Sequence, residues 1–76
     1  TRAYLSDFKD FAAFCAHAGR VPLPAAPETI VLYLRAKAVR LKPSTLTRRL
    51  ASLRHYHAQA GFEWQGSDAS VRDCLK

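Results

Sequence analysis

Residues 44–61 read STLTRRLASLRHYHAQAG, and this stretch decides the fold. One face of it is apolar, at Leu46, Leu50, Leu53, His57 and Ala60. The spacing of 4, 3, 4 and 3 residues is the period of an α-helix, so we predict a helix that ends at Gly61. Ser44 or a neighbouring residue is suited to cap its start, because a hydroxyl can accept a bond from a free backbone N–H. We read His57, on the leucine face, as a packed structural histidine.

The opposite face of this helix is polar and carries no acidic residue. Its members are Thr45, Arg48, Ser52, His55 and Gln59, with Arg49 and Arg54 at the two edges. Seven of the twelve Lys and Arg residues lie between positions 35 and 57, a segment without Asp or Glu, and the whole chain carries a net charge of +6. Because an acid-free polar helix suits a polyanion, nucleic acid is the expected partner. The alternative is an ordinary solvated face.

Three further helices are predicted, two before this one and one after it. Residues 2–18 carry an apolar face, with Thr1 as the candidate cap and Gly19 as the terminating residue. Three prolines in 21–27 predict an extended connector, and Pro27 suits the first turn of a second helix that fades near Val39. The apolar faces are Tyr4, Phe8, Phe11, Cys15 and Ala18 in the first helix, and Ile30, Tyr33, Leu34 and Ala38 in the second.

Ser67 or Asp68 opens a short last helix in which Val71 and Leu75 are expected to face inward. No segment alternates apolar and polar residues over a useful length, so we predict no sheet. A chain of 76 residues supports one modest core. The fold class is therefore all-α, a compact four-helix bundle forming a single domain over residues 1–76.

Several classes of function have no support in the residues. There is no Gly-rich phosphate loop, no G-x-S-x-G motif and no H-E-x-x-H pair, so we expect no catalytic residues and no cofactor. Cys15 with His17, and His55 with His57, diverge on a helix, so no metal site is expected. Two cysteines are too few for a disulfide framework, and no apolar run approaches a membrane span. From these features we expect a cytoplasmic protein without a membrane partner.

The order of motifs resembles the N-terminal, SAM-like core-binding domain of the tyrosine recombinases, or phage integrases. The matching residues are Phe11-Ala12-Ala13-Phe14-Cys15 and Gly19, then Pro24-Ala25-Ala26-Pro27-Glu28-Thr29-Ile30 and Tyr33-Leu34, then Ser44-Thr45-Leu46, Leu50, Leu53, His57 and Gly61, and finally Val71-Arg72 and Leu75. The match covers essentially the whole chain. Ala26 departs from it, because the family often places a capping Ser there.

This resemblance implies a DNA-binding domain that takes part in DNA integration or recombination. In the family this domain and a separate catalytic domain hold a double-stranded DNA half-site from opposite sides, with the first and third helices at the major groove and flanking phosphates. The implied contacts on the third helix are Ser44, Thr45, Arg48 and Ser52, with Thr47, Arg49 and Lys42 at phosphates. Those on the first helix are Thr1, Arg2, Ser6 and Lys9. His55 is a further candidate for phosphate.

The family's catalytic set, an Arg, Lys, His, Arg group and a Tyr nucleophile that forms a phosphotyrosyl link, belongs to the catalytic domain and has no match here. The fragment itself is therefore not expected to be an enzyme, whereas its parent is expected to be a tyrosine recombinase of a bacterial or phage, intracellular setting. The implied partners are DNA, the missing catalytic domain and other protomers in a synaptic tetramer. The alternative is a helical protein-interaction or oligomerisation module, and binding to anionic membranes ranks lowest.

Overall fold

The structure, a computed structural model, describes residues 2–74, with only the backbone of Arg2. Four helices follow one another: α1 (Arg2–Ala18), α2 (Pro27–Ala38), α3 (Pro43–Ala60) and α4 (Ala69–Asp73). No strand occurs within this range. The predicted all-α four-helix bundle is confirmed. Thr1 as a cap and Leu75 as a core residue lie outside the described residues.

Glycine and proline set the ends of the helices, as the sequence predicts. Gly19 and Gly61 have φ angles of +68° and +81°, a region that side chains with a Cβ rarely adopt. At the end of α3, Gly61 N–H donates to Ala58 O and Phe62 N–H donates to His57 O, the bond pair of a Schellman motif. Pro27 begins α2 after Ala26, which offers no side-chain cap.

The start of α3 differs from the prediction. The N-cap residue is Lys42, and no side-chain cap bond is formed there. Pro43 occupies the first turn, where its missing N–H costs nothing and its fixed φ suits the helix. Ser44 therefore lies inside the helix rather than at its cap. At α4 the predicted alternative Asp68 is the cap, and its carboxylate accepts a bond from Ser70 N–H at 3.0 Å.

The core lies where α1, α2 and α3 meet, and α4 packs against α2. Its buried apolar members are Phe11, Cys15, Ala25, Ile30, Tyr33, Leu34, Leu46, Leu53 and Val71. Ala18, Ala38 and Ala60, predicted on the apolar faces, are exposed at the ends of their helices, and Tyr4 and Phe8 are only half-buried. The core is thus narrower than the periodicity alone suggests.

His57 is completely buried, which confirms its reading as a structural residue. Its Nδ1 lies 2.7 Å from Leu53 O, and its Nε2 accepts a bond from the backbone N–H of Ala25 at 2.9 Å. These two bonds define a neutral ring with the proton on Nδ1. The ring ties the connector between α1 and α2 to the middle of the bundle.

Candidate nucleic-acid interface

The interface between α1 and α3 contains a buried carboxylate, that of Asp7. Only 4% of Asp7 is exposed. Arg48 donates to it twice, from Nε to Oδ2 and from Nη2 to Oδ1, both at 3.1 Å. Paired bonds of this kind fix the guanidinium in the plane of the carboxylate. Asp7 therefore neutralises Arg48, which has no acidic residue near it in the sequence.

Asp10, one turn further along α1, joins all three long helices. It accepts bonds from Tyr33 Oη at 2.8 Å and from Arg49 Nη1 at 2.5 Å, and Lys37 Nζ lies 3.3 Å away. Burial tends to raise the pKa of this carboxyl, but the bonds from Tyr33 and Lys37 and the charges of Lys37 and Arg49 lower it by more. The net effect is a pKa below the ordinary value.

Tyr33 sits at the centre of this network. Burial, with the carboxylate of Asp10 beside it, raises the pKa of its hydroxyl to about 12, although the bond from Arg49 works in the opposite direction. Arg49 Nη1 donates to the Tyr33 oxygen at 2.9 Å. The Tyr33 hydroxyl is therefore neutral, enclosed and fully engaged, which fits a structural residue and not a nucleophile.

The charge of the basic segment consequently divides into two groups. Lys37, Arg48 and Arg49 form ion pairs with the carboxylates of α1. Within residues 2–74 the other four form no ion pair and are exposed; they are Arg35, Arg40, Lys42 and Arg54. Residues 35–57 contain no acidic residue, but carboxylates of α1 neutralise three of the basic side chains in this segment. Arg40 and Lys42 lie in the turn before α3, and Arg54 lies on its outer surface.

The outer face of α3 is rotated by about one residue from the predicted one. Its exposed members are Ser44, Thr47, Ala51, Arg54 and Ala58, with Arg48 and His55 along one edge. Ser52, a predicted contact, is completely buried, and its hydroxyl donates to Arg49 O at 2.6 Å. This part of the prediction is wrong because α1 packs over that side of α3.

The other predicted contacts occupy different environments. Ser6 and Lys9 of α1 and Ser44, Thr47 and Lys42 are exposed, while Thr45 and His55 are half-buried. Thr47 Oγ1 donates to Pro43 O at 3.0 Å, and the His55 ring packs against Tyr4 and Tyr56. Arg49 retains only 19% exposure of its side chain. Thr1 and the side chain of Arg2 lie outside the described residues.

A shallow groove of about 530 Å³ follows the outer face of α3. Tyr4 of α1 borders one side, Trp64 and Gly66 border the other, and Arg54 lies between them. Gly66 is required here, since a Cβ at this position would collide with the Trp64 indole. Tyr4 and Trp64 are groove residues that the sequence did not predict, and Arg54 was predicted only at an edge of the polar face.

Other kinds of site find little support in the described part of the chain. No group of three or more His, Cys, Asp or Glu side chains in residues 2–74 is arranged to hold a metal ion. Cys15 is buried and Cys74 half-buried, and both are free thiols; burial raises the pKa of Cys15, an effect that the charge of Arg20 partly offsets. No helix within this range is long and apolar enough to cross a membrane.

Comparison with known proteins adds a relative. The chain is 38% identical over 68 residues to a protein of Selenomonas ruminantium described as an integrase/recombinase xerD homolog. The chain is related to a recombinase. The aligned region covers 90% of this chain and 20% of that protein. The similarity supports the tyrosine recombinase relationship indicated by the motif order.

No protein-family model matches the chain, and no solved structure matches it significantly. The chain spans about a fifth of the length of its recombinase relative.

Proposed function

We propose that the chain is the double-stranded DNA-binding, core-binding domain of a site-specific tyrosine recombinase or integrase. It grips a recombination half-site through the major groove and the flanking phosphates, and acts in DNA integration or recombination. Strand breakage and rejoining through a phosphotyrosyl intermediate belong to the catalytic domain of the parent, and other protomers complete the assembly on DNA. This role is exercised inside the cell.

The observation that carries the proposal is the location of Lys and Arg side chains that form no ion pair, on a recombinase-related chain. Arg40, Lys42 and Arg54 are exposed and without an acidic partner among the described residues, and they lie in or just before α3. Unpaired Lys and Arg side chains attract phosphates and release the counterions of DNA. The two carboxylates of α1, Asp7 and Asp10, are instead neutralised by ion pairs with Lys37, Arg48 and Arg49.

The dimensions and side chains of α3 fit a DNA groove. Its 18 residues span about 27 Å, and a single helix fits a major groove that is about 12 Å wide. Ser44 and Thr47 present hydroxyls near its start, Arg54 presents a guanidinium further along, and Ala51 lies between them. Hydroxyl and guanidinium groups contact phosphates and base edges, whereas a small residue lets the backbone approach closely.

The residues proposed for DNA contact differ from those first predicted. Lys42, Ser44, Thr47 and Arg48 remain in the set, as do Ser6 and Lys9 on the exposed side of α1. Arg54 and Arg40 join it because they are free and exposed. Ser52 leaves it because it is buried, and Arg49 is assigned to the bundle, where its Nη1 donates to Asp10 and Tyr33.

A binding assay with a fluorescein-labelled duplex of mixed sequence tests this proposal. The wild-type chain should raise the anisotropy of the duplex, and Arg54→Ala should weaken the affinity several-fold. Arg72→Ala is the matched control, since it removes the same charge from α4, which packs on α2, and it should change affinity little. Absence of DNA binding together with self-association would contradict the proposal and favour a helical protein-interaction module.

A further inference from the structure

We infer that Asp7 is a positioning residue for DNA recognition. It holds the guanidinium of Arg48 in a fixed orientation, so that the donors of Arg48 not used by Asp7 are directed out of the bundle toward DNA. This inference rests on the proposed function and assigns to one buried carboxylate a role beyond packing.

The Asp7–Arg48 pair is buried at one end and exposed at the other. The Asp7 side chain is 5% exposed, whereas that of Arg48 is 53% exposed. Two bonds of 3.1 Å join them, from Nε and from Nη2. A carboxylate enclosed in this way cannot turn to follow a mobile partner, so the guanidinium takes its orientation from the bundle.

The pair leaves part of the guanidinium free. An arginine carries five N–H donors, and Asp7 uses two of them on one edge of the plane. Within residues 2–74 the remaining donors of Arg48 have no hydrogen-bond acceptor. They include the adjacent edge formed by Nη1 and Nη2, a fork that matches two phosphate oxygens or O6 and N7 of a guanine.

The neighbouring arginine shows the contrast. Arg49 is 19% exposed, and its Nη1 donates to both Asp10 and Tyr33. Its Nε is buried and lacks a hydrogen-bond partner within the described chain. Consecutive arginines of α3 thus have separate tasks: Arg49 joins the helices, and Arg48 is presented at the surface.

Fixing Arg48 in advance should strengthen DNA binding. An arginine loses rotamer freedom when it binds a phosphate or a base, and this loss reduces affinity unless the side chain is already ordered. Removing Asp7 also removes a negative charge, which by itself should strengthen DNA binding. The two effects have opposite signs, so the direction of the change separates positioning from simple electrostatics.

The test measures affinity for a mixed-sequence duplex with wild type, Asp7→Asn, Arg48→Ala and the double variant. Asp7→Asn should bind about 3- to 10-fold more weakly than wild type, the range expected for one side chain that must be immobilised on binding. In the Arg48→Ala background the same substitution should have no weakening effect. Asp10→Asn is the matched control, because it removes an equal charge that does not contact Arg48, and it should not weaken binding.

Each outcome decides a different point. If Asp7→Asn binds as tightly as wild type or more tightly, or weakens binding equally without Arg48, the positioning role is overturned. If wild type binds and Arg48→Ala binds equally well, the inference fails while the proposed function stands. If wild type does not bind, the proposed function itself fails.

A second variant keeps the test decisive if Asp7→Asn does not fold. Arg48→Lys retains the charge but cannot form the bidentate pair, because an ammonium is a single point of contact. It should bind about 3- to 10-fold more weakly than wild type. Wild-type affinity in Arg48→Lys would overturn the inference.

Discussion

Arg49 Nη1 and Asp10 Oδ2 lie 2.5 Å apart, and this contact joins α3 to α1. Tyr33 of α2 bonds to both residues, so three helices meet at one ion pair. Much of the positive charge that the sequence concentrates between residues 35 and 57 is thereby used to hold the bundle together. The residues of this segment proposed to bind DNA are the unpaired Arg40, Lys42 and Arg54, together with Arg48, whose pairing with Asp7 leaves part of its guanidinium exposed.

Asp10→Asn should make stability less sensitive to acid. The folded pKa of Asp10 is below its ordinary value of 3.8, so its contribution to stability is present above that value and is lost as pH falls through the folded pKa. Urea unfolding of wild type and variant should show a constant difference in unfolding free energy above about pH 5 and a shrinking one below. A difference that does not change with pH would contradict the assignment.

His57→Ala should lower the free energy of unfolding by about 3 kcal/mol or more. The substitution leaves a cavity in the core and removes the acceptor of the buried Ala25 N–H. Chemical denaturation measures the loss. His17→Ala is the control, because His17 is exposed on α1 and should change stability by less than about 0.5 kcal/mol. Equal losses of unfolding free energy in the two variants would contradict a stabilising role for the His57 hydrogen bonds.

Gly66→Ala should displace Trp64, because the added Cβ would occupy the position of the indole. Trp64 packs edge-on against His57 with ring centroids 5.2 Å apart, and it is the only tryptophan in the chain. We expect its fluorescence emission to move to longer wavelength and stability to fall by about 1–3 kcal/mol.

The control for this substitution is Gly61→Ala. Its φ of +81° makes alanine strained by about 1 kcal/mol, but the space around it is open. It should lower stability without moving the tryptophan emission. Unchanged emission in Gly66→Ala would mean that the position of the Trp64 indole does not require glycine at residue 66.

The helices were predictable because their ends carry strong local signals. Glycines that accept positive φ and prolines in first turns set the bounds of α1, α2 and α3 within a residue or two. The capping error at Ser44 arose because a serine was preferred over the adjacent Pro43, although proline favours the first helical position.

The division of charge was not predictable from a segment taken by itself. The partners of Arg48 and Arg49 lie about 40 residues earlier in the chain, and their pairing depends on how α1 crosses α3. One signal was present, however. Asp7 falls three residues after Tyr4 and four before Phe11, on the apolar face of α1, and a carboxylate in such a place requires a cationic partner.

The salt dependence of binding to duplex DNA tests the central claim most directly. Five exposed Lys and Arg side chains are proposed to contact phosphates, namely Lys9, Arg40, Lys42, Arg48 and Arg54. The logarithm of the binding constant should therefore fall with the logarithm of salt concentration at a slope of about −4.5, and Lys42→Ala should make that slope shallower by about 0.9. A slope near zero, or one unchanged in Lys42→Ala, would contradict the account.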